Sequence, residues 1–409
     1  MATEDAYDDL LERYGRVANL ESAGELLSWD QQVMMPPGGQ PARSQQMSTL
    51  SGLGHEVLVD DETARLLDAV EGDVSGERAA VVREIRRQHE RAARVPRDLV
   101  EEISATTSDA MPVWEEAKAE DDFEAFAPVL SDLVELKREY AEHIDPDRDP
   151  YAVLFEEFEP YLGLDAAERV LGRLRDELVP LIEEIERRGD TLPSPFDGEY
   201  EEADQRAVSE AALDALGYDR DRGRLDTAPH PFTSGNQFDA RVTTRFTDDP
   251  LDGLTATIHE FGHAAYGQGL PREEYGTPLG EARDLVVHES QSRFWENHVG
   301  RTRAFWEQFY PTFADHLGVD AGAETVYQAA NRIYPDNRIR VEADELTYHM
   351  HIVLRFEIER DLISGDLDVR EVPAVWNEKM EEYLGVRPET DTEGCLQDIH
   401  WRHGTFGYF

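Results

Sequence analysis

Cysteine is nearly absent from this 409-residue chain, which contains Cys395 alone. No disulfide can form within it, so we expect a reducing location, the cytoplasm. Long apolar runs are also missing, and none approaches the roughly 20 residues that a membrane-spanning helix needs. The acidic start, Met1 to Asp5, lacks the basic and then apolar layout of a secretory signal. These absences predict a protein with no membrane partner.

Positive charge is scarce, and lysine above all. Lys and Arg number 40 against 88 Asp and Glu, a net charge of −48, and the only lysines are Lys118, Lys137 and Lys379. Without a basic surface the chain cannot neutralise phosphates, so we expect neither a nucleic acid nor an anionic membrane as partner. Because the carboxylates are spread along the chain, they favour a halophile's protein, in which salt screens their repulsion. An ordinary acidic cytosolic protein is the alternative.

Apolar spacing predicts a mainly α-helical fold. Residues that recur every three or four positions, such as Tyr7, Leu10 and Tyr14, are typical of a helix with one buried face. The predicted helices include 75–93, 113–142, 166–188, 302–317, 321–332, 339–363 and 372–383. Residues 241–246 are different, because their alternating β-branched side chains predict a strand. Its edge could pair with an extended peptide substrate, or it could belong to a small hairpin that only packs.

The stretch His259-Glu260-Phe261-Gly262-His263 carries the most informative chemistry. Two histidines four apart lie one helical turn from each other, so both imidazoles can reach one metal ion. The glutamate between them can take a proton from a water molecule on that ion. The apolar flanks, where buried imidazoles need a partner, favour this interpretation over a pair of surface histidines. The pattern therefore predicts the core of a zinc peptidase.

A catalytic zinc site needs a third protein ligand and an open fourth position. A second helix is predicted at 284–295, and it carries His288 and Glu289 side by side. We prefer Glu289 as the ligand and His288 as its neighbour, because one carboxylate with two histidines is a common catalytic zinc set. A lone glutamate on a helix normally faces solvent. The apolar residues on both sides of this one favour burial beside a cation.

Six separate motifs occur in order along the chain. They are His230–Phe232 (HPF), Asp239–Thr243 (D-x-R-x-T), His259–His263 (HExxH), His288–Gln291 (HESQ), Ile339–Asp344 (I-R-x-x-A-D) and Gly394–Gln397 (G-x-x-Q). Together they resemble the carboxypeptidase Taq family of zinc-dependent metallocarboxypeptidases. Six motifs in this order, from His230 to Gln397, are far more specific than any one of them.

This resemblance implies an architecture and an assembly. The fold would be mainly α, an elongated helical body with a deep groove and a small β-sheet beside the metal site, similar in outline to neurolysin and the angiotensin-converting enzymes. Members are typically homodimers, and they normally continue past Gly404–Phe409, so this chain is expected to be short at its C-terminus. We expect one peptidase domain over 1–409, with a helical N-terminal lobe at about 1–198 and a metal-binding lobe at about 199–409.

The resemblance also implies an activity and its residues. Members release single amino acids from peptide C-termini with broad preference, and zinc or cobalt supports the reaction. By this match His259, His263 and Glu289 are the metal ligands, and Glu260 is the general base.

A carboxypeptidase must also bind the terminal carboxylate of its peptide substrate, and an arginine fork suits that task through two charge-assisted hydrogen bonds. Arg340 is our first candidate and Arg241 the second. The competing role for either arginine is a structural salt bridge, and the partner of Arg340 would be Asp344, one turn away on the predicted helix. His230 either lines the groove or caps a turn of its loop.

Attack on a peptide carbonyl produces a charged oxygen, which needs a hydrogen-bond donor besides the metal. His400 and Tyr408 are the candidates, suggested by their place in the family's tail. The alternative for Tyr408 is an aromatic residue at a frayed chain end.

Two other functions fit the same residues. One is a zinc oligopeptidase or aminopeptidase of the same ligand class, although an aminopeptidase would need acidic residues to hold a free amine. The other is a non-catalytic peptide-binding protein that a metal ion stabilises. A structural zinc normally has four protein ligands, which favours the enzyme.

Overall fold

The computed structural model describes residues 3–190, 192–196, 198–334 and 338–408. Within these ranges the chain forms mainly α-helices, as predicted, with one small sheet. The helices are α1 Thr3–Val33, α2 Gln40–Val59, α3 Asp61–Val70, α4 Glu77–Arg94, α5 Arg97–Glu120, α6 Phe123–Ile144, α7 Pro150–Phe158, α8 Leu164–Arg188, α9 Glu202–Leu216, α10 Pro250–Gly269, α11 Leu285–Trp295, α12 Arg303–Leu317, α13 Ala323–Ala330, α14 Thr347–Ser364 and α15 Val372–Leu384. The strands are β1 Leu225–Thr227, β2 Thr233–Gly235 and β3 Ala240–Thr244.

The chain divides into two compact units, and each combines two separate stretches of sequence. Unit 1 comprises Met1–Ala93 and Pro193–Ala330, and unit 2 comprises Arg94–Leu192 and Asn331–Phe409. The predicted lobes, 1–198 and 199–409, therefore do not coincide with these units, because each predicted lobe contributes residues to both. A single peptidase domain over the whole chain stays a prediction. No described helix is both long and apolar enough to cross a membrane.

The sheet of unit 1 has the order β1-β3-β2. Strand β3 pairs in parallel with β1, with Leu225 opposite Val242, and antiparallel with β2, with Thr233 opposite Val242. The inward residues Ala240 and Val242 are almost fully buried and pack in one cluster with Phe261 of α10. The predicted strand at 241–246 is thus confirmed over most of its length. Because β3 is central, β2 lies at an edge of the sheet and beside α10.

Helices α10 and α11 approach each other unusually closely in unit 1. Helix α10 begins at Pro250. Asp249 is its N-cap, because the side chain of Asp249 accepts a hydrogen bond from Leu251 N–H. At the middle of α10, a Cβ built on Gly262 would lie 2.4 Å from Cα of Ser292 in α11. Only a glycine permits this backbone contact. It brings the residues next to Gly262 and Ser292 together across the two helices.

Two predicted helices of unit 2 are interrupted. The helix predicted at 113–142 is two helices, because Asp121 has a φ of 57° and ends α5. The helix predicted at 339–363 was also wrong at its start. Arg340–Glu342 form a short 3₁₀ turn, and α14 begins only at Thr347, because Asp344 accepts hydrogen bonds from Leu346 and Thr347 N–H.

The core of unit 2 joins several of its helices with the chain's last described residues. Its buried side chains come from α5, α6, α7, α8, α14 and α15, and also from the segment 395–408, which we call the tail. Trp401 and Phe406 of the tail are almost fully buried. The tail is therefore a packed part of unit 2, which places Tyr408 in ordered surroundings and removes the frayed-end alternative.

Candidate functional site

Three side chains of unit 1 meet at one point, and we call this set the metal centre. Nε2 of His259 lies 3.6 Å from Oε1 of Glu289, and Nε2 of His263 lies 3.3 Å from Oε2 of Glu289. One ligand atom of each residue lies within 4.8 Å of the others. A tetrahedral ion with bonds of about 2.1 Å has edges of about 3.4 Å, so a zinc-sized cation fits this set. Sequence reasoning grouped the same three residues, and their role as ligands stays a prediction.

The ionised form of Glu289 suits a cation. Burial by itself would raise its pKa, but the hydrogen bond to His263 and the charges of His259 and Arg293 lower the pKa of Glu289 to about 2. Nε of Arg293 lies 3.1 Å from Oε1 of Glu289 and fixes the carboxylate's orientation. Because Arg293 is one turn further along α11, the same helix supplies both the carboxylate and its orienting cation.

Glu296 binds the ring nitrogen of His259 that does not face Glu289, and sequence reasoning missed this residue. Nδ1 of His259 donates to Oε2 of Glu296 at 2.8 Å, while Arg293 and Arg301 contact the same carboxylate at 3.1 and 3.2 Å. This bond leaves Nε2 of His259 as the nitrogen available to a metal, the tautomer that outer carboxylates commonly select. Burial would lower the pKa of His259, yet the bond to Glu296 raises it to about 9.

Glu260, the predicted general base, is buried on the sheet side of α10. Thr233 of β2 donates its hydroxyl to Oε2 of Glu260 at 2.7 Å. Burial raises the pKa of Glu260 above its usual value, which makes this carboxylate a stronger base than an exposed one. Thr233 directly follows the predicted HPF motif, and its adjacency to that motif was the only signal in the sequence.

His288 lies beside the metal centre without joining it. Its ring stacks on that of His263 with centroids 4.3 Å apart and an interplanar angle of 26°. Burial lowers the pKa of His288 to about 4, so the ring is neutral near pH 7. Glu289 as the ligand and His288 as its neighbour stays a prediction. A neutral stacked ring limits how far His263 can rotate.

A cavity of about 530 Å³ within unit 1 reaches the metal centre. Its lining includes His263, His288 and all of β2, together with the carboxylates of Glu21, Glu25 and Glu281. Tyr14 donates its hydroxyl to Glu281 at 2.9 Å, and burial raises the pKa of Glu281 to about 7. Among the described residues that line it, every charged side chain other than histidine is acidic.

Two of the predicted substrate residues belong to unit 1. Arg241 contacts Asp239 through two nitrogens, at 2.9 and 2.7 Å, and its guanidinium lies 4.4 Å from the centre of the Trp29 ring. Its fork is therefore already occupied, which favours the structural alternative for this residue. His230 is exposed in the loop before β2.

Arg340 of unit 2 is half-buried and does not make the ion pair with Asp344 that was its competing role. Its backbone N–H donates to Oε1 of Gln397 at 2.8 Å, and its Nη2 donates to the hydroxyl of Tyr348 at 3.2 Å. Its Nη1 is buried and has no hydrogen-bond partner among the described residues. The pair with Asp344 was wrong, because Asp344 caps α14 and lies outside any helix shared with Arg340.

His400 and Tyr408 lie against each other in the tail of unit 2. Their ring centroids are 5.1 Å apart, and the Tyr408 ring also packs edge-on against Phe158. Nδ1 of His400 is 3.4 Å from Oδ1 of Asp398. Burial lowers the pKa of His400, although Asp398 opposes that effect. Both predicted donors are thus held in defined positions by their own unit.

Known proteins resemble this chain over nearly its whole length. The family described as Carboxypeptidase Taq (M32) metallopeptidase matches residues 9–409. Thermostable carboxypeptidase 1 of Thermus thermophilus is 40% identical, with 100% of this chain and 84% of that protein covered. Carboxypeptidase 1 of Bacillus subtilis is 34% identical, over 99% of this chain and 82% of that protein.

Solved structures agree with these sequence matches. Metallocarboxypeptidase 1 of Trypanosoma cruzi has a TM-score of 0.95 at 34% identity, and the match covers 99% of this chain and 83% of that one. A carboxypeptidase of Pyrococcus furiosus also has a TM-score of 0.95, at 36% identity and with 98% and 83% covered. The chain therefore belongs to the carboxypeptidase Taq (M32) family and is a metallocarboxypeptidase.

Proposed function

We propose that this protein is a zinc-dependent carboxypeptidase that releases single amino acids from peptide C-termini with broad preference. The observation that carries the proposal is the set of two imidazoles and one ionised carboxylate that face each other in unit 1, beside a buried glutamate. Two histidines with one carboxylate are a typical catalytic zinc set, and three protein ligands leave room for water. Cobalt is expected to replace zinc.

When bound at the metal centre, zinc supplies Lewis acidity that polarises a peptide carbonyl and makes water a better nucleophile near neutral pH. Glu260 receives the proton of the attacking water and delivers it to the leaving amine. Since Thr233 occupies Oε2 of Glu260, we assign the proton transfer to Oε1. His400 and Tyr408 are the proposed donors to the oxygen that becomes charged.

Arg340 is our proposed ligand for the terminal carboxylate of the substrate. The Nη1 of Arg340 has no hydrogen-bond partner among the described residues, so it can donate to a substrate. Arg241, in contrast, is already bound to Asp239. A guanidinium that meets a carboxylate in a half-buried site forms strong, charge-assisted hydrogen bonds. His230, exposed in the loop before β2, is the second candidate for contact with substrate.

The setting of the enzyme is proposed from its composition and its family. A homodimer is implied by the family resemblance, and the lone cysteine favours the cytoplasm. The net charge of −48 favours adaptation to high salt, so we expect the protein to unfold more readily in dilute buffer than in molar salt.

The variant Glu260→Gln tests the enzyme proposal directly. A glutamine cannot accept the water's proton, so we expect turnover of a short peptide to fall by about 10²–10⁴-fold while the metal content per chain is unchanged. Glu273→Gln, at an exposed position outside the site, is the matched control. Full turnover in Glu260→Gln would contradict the assigned base and favour a metal site that only stabilises the protein.

The same peptide with an amidated C-terminus separates the carboxypeptidase from its rivals. A carboxypeptidase that binds the terminal carboxylate should release amino acids from the acid much faster than from the amide. Equal rates on both peptides would favour an oligopeptidase or an aminopeptidase of the same ligand class.

A further inference from the structure

Unit 2 contains a set of fully buried charged groups that the proposed mechanism does not use. Arg355 and Glu359 of α14 have no exposed surface, and Asp398 of the tail is only 5% exposed. We call these three residues the Arg355 cluster. Burial of unpaired charges is strongly unfavourable, so such a set is stable only when its members satisfy one another.

Arg355 contacts an acceptor with each of its three guanidinium nitrogens. Its Nη2 lies 2.6 Å from Oε1 of Glu359, its Nε lies 2.5 Å from Oδ2 of Asp398, and its Nη1 donates to the carbonyl oxygen of Tyr408. One guanidinium therefore joins α14 to two points of the tail. The planar fork of arginine suits this task, because a lysine would offer a single point charge.

The two carboxyl groups are also fully engaged. Glu359 accepts hydrogen bonds from Nε1 of Trp401 and the backbone N–H of Gly407, both at 3.0 Å. Asp398 accepts from the backbone N–H groups of His400 and Trp401, at 2.7 and 3.1 Å. No position on either carboxyl group is directed to another guanidinium among the described residues.

Arg340 lies next to this cluster and is left without a carboxylate. Its backbone is bound to Gln397, the residue before Asp398, and the charges of Arg340 and Asp398 act on each other. Yet the polar partner of its guanidinium is the neutral hydroxyl of Tyr348, and its Nη1 has no partner among the described residues.

We propose that Arg355 is a positioning residue, which holds Asp398 away from Arg340 and so keeps the Arg340 guanidinium open to the carboxylate of a peptide C-terminus. The inference rests on the proposed function of Arg340. Without Arg355, the Arg340 guanidinium is the one whose charge still acts on Asp398. Arg340 and Asp398 would then form an internal ion pair. That pair would compete with the substrate for the same donors.

The charge state of the cluster singles out Asp398 as the competitor. Burial raises the pKa of Glu359 to about 7, and Asp398 adds to this effect although Arg355 opposes it. The pKa of Asp398, by contrast, stays far below its usual range despite burial, because Arg355 and His400 favour its ionised form. After loss of Arg355, His400 and Arg340 are the cations that still favour the ionised form of Asp398, so Asp398 is drawn towards Arg340.

Two double variants, each of which replaces one carboxyl group of the cluster by its amide, test this proposal. Arg355→Gln alone should raise KM for a short peptide acid at least about tenfold, with a much smaller change in kcat. Adding Asp398→Asn removes the competitor and should return KM to within about threefold of the wild type. Adding Glu359→Gln instead removes the other carboxyl group of the cluster but leaves Asp398, so KM should stay high.

The comparison remains decisive if the single variant does not fold, because the two double variants are judged against each other. Unfolding temperatures of both are measured to show that each is folded. Equal KM values for the two double variants would overturn the proposal and leave Arg355 with a purely structural role.

Arg340→Gln separates failure of this inference from failure of the proposed function. If Arg340 binds the terminal carboxylate, this variant raises KM for the peptide acid. It also abolishes the difference in affinity between the peptide acid and the peptide amide, where the affinity of the amide is measured by using it as a competitive inhibitor. If Arg340→Gln has no such effect, the assignment of Arg340 is wrong. If it has that effect but Asp398→Asn does not rescue Arg355→Gln, only the positioning role is wrong.

Discussion

The metal centre of unit 1 and the Arg355 cluster of unit 2 use similar groups in opposite ways. Both set a carboxyl group of one helix against cationic or potentially cationic side chains. In the metal centre, Glu289 is 43% exposed and faces the Nε2 atoms of two imidazoles. In the Arg355 cluster, Glu359 has no exposed surface and accepts hydrogen bonds from several fixed donors. The first set can admit a further cation, and the second cannot.

The difference shows how the surroundings of a carboxyl group determine its use. Both Glu289 and Glu359 lose hydration, yet the pKa of Glu289 falls to about 2 because of His263, His259 and Arg293, whereas burial raises that of Glu359 to about 7. An ionised carboxylate opposite two available nitrogens favours a divalent cation. Carboxyl groups that are already satisfied leave the neighbouring Arg340 available for an anion.

Among the variants that test this comparison, we expect Glu289→Gln to have the largest effect, a loss of metal affinity. An amide is a neutral and weaker ligand, so metal affinity should fall by more than the roughly 10–100-fold that is typical for loss of an outer partner. Peptidase activity should fall with it and recover partly at high metal concentration. Metal content after dialysis and the metal dependence of turnover measure this. Glu307→Gln, exposed on α12, is the control, and unchanged affinity in Glu289→Gln would exclude Glu289 as a ligand.

A smaller loss of metal affinity is expected from Glu296→Gln, which changes the group bound to Nδ1 of His259. A glutamine can still accept from Nδ1, but it lacks the charge that Arg293 and Arg301 hold in place. Metal affinity should therefore fall by about 10–100-fold while the ion still binds. A titration with a competing chelator measures the change. If affinity is unchanged, Glu296 orients no ligand, and the metal centre depends on its three inner residues alone.

Sequence patterns were most informative where the function depends on local spacing. His259 and His263 are four apart on one helix, so their proximity follows from helical geometry, and α8 at Leu164–Arg188 matches the predicted 166–188 for the same reason. Glu296 could not be found in this way. Its bond to His259 depends on the turn of π-helix at Glu296–Gly300 and on the packing of α10 against α11.

Arg340 shows the opposite failure, in which a local pattern was misleading. The spacing of Arg340 and Asp344 fits an ion pair on one helix, but Asp344 instead ends the irregular segment by capping α14. Side-chain capping competes with helix formation at such positions. The division into two discontinuous units was equally hidden, because it depends on contacts between residues far apart in sequence.

Each of the two sites also depends on a glycine, and Gly262→Ala tests the one in unit 1. The added Cβ would lie 2.4 Å from Cα of Ser292 and 2.6 Å from the carbonyl oxygen of Gln291, so α10 and α11 must separate. We expect a loss of about 3 kcal/mol in unfolding free energy, near the upper end for overpacking. Because the helices carry the ligands, metal affinity should fall too.

The control for this variant is Gly269→Ala at the end of α10, where a Cβ meets nothing within 4 Å. Gly407→Ala provides the comparison in unit 2, because its amide donates to Glu359 and its φ is 86°. It should destabilise the tail and leave metal affinity intact. Loss of metal in Gly407→Ala and not in Gly262→Ala would contradict the separate roles of the two sites.

The smallest expected effect concerns Glu281, a carboxyl group that is buried beside the hydroxyl of Tyr14. Burial raises its pKa from 4.5 to about 7, so the folded protein binds a proton there more tightly than the unfolded chain does. The stability that this group contributes is complete below pH 4.5 and is lost as the pH rises through 7. Glu281→Gln keeps an acceptor for the hydroxyl of Tyr14 but removes this titration.

Wild type and Glu281→Gln should therefore differ in a pH-dependent way. From about pH 5 to about pH 8 the wild type should lose stability relative to the variant by on the order of 1 kcal/mol, after allowance for solvent screening. Urea unfolding at both pH values measures this, with Glu273→Gln as the exposed control. A pH-independent difference would mean that Glu281 finds a cationic partner in solution, and the cavity beside the metal centre would then be less acidic than its lining residues suggest.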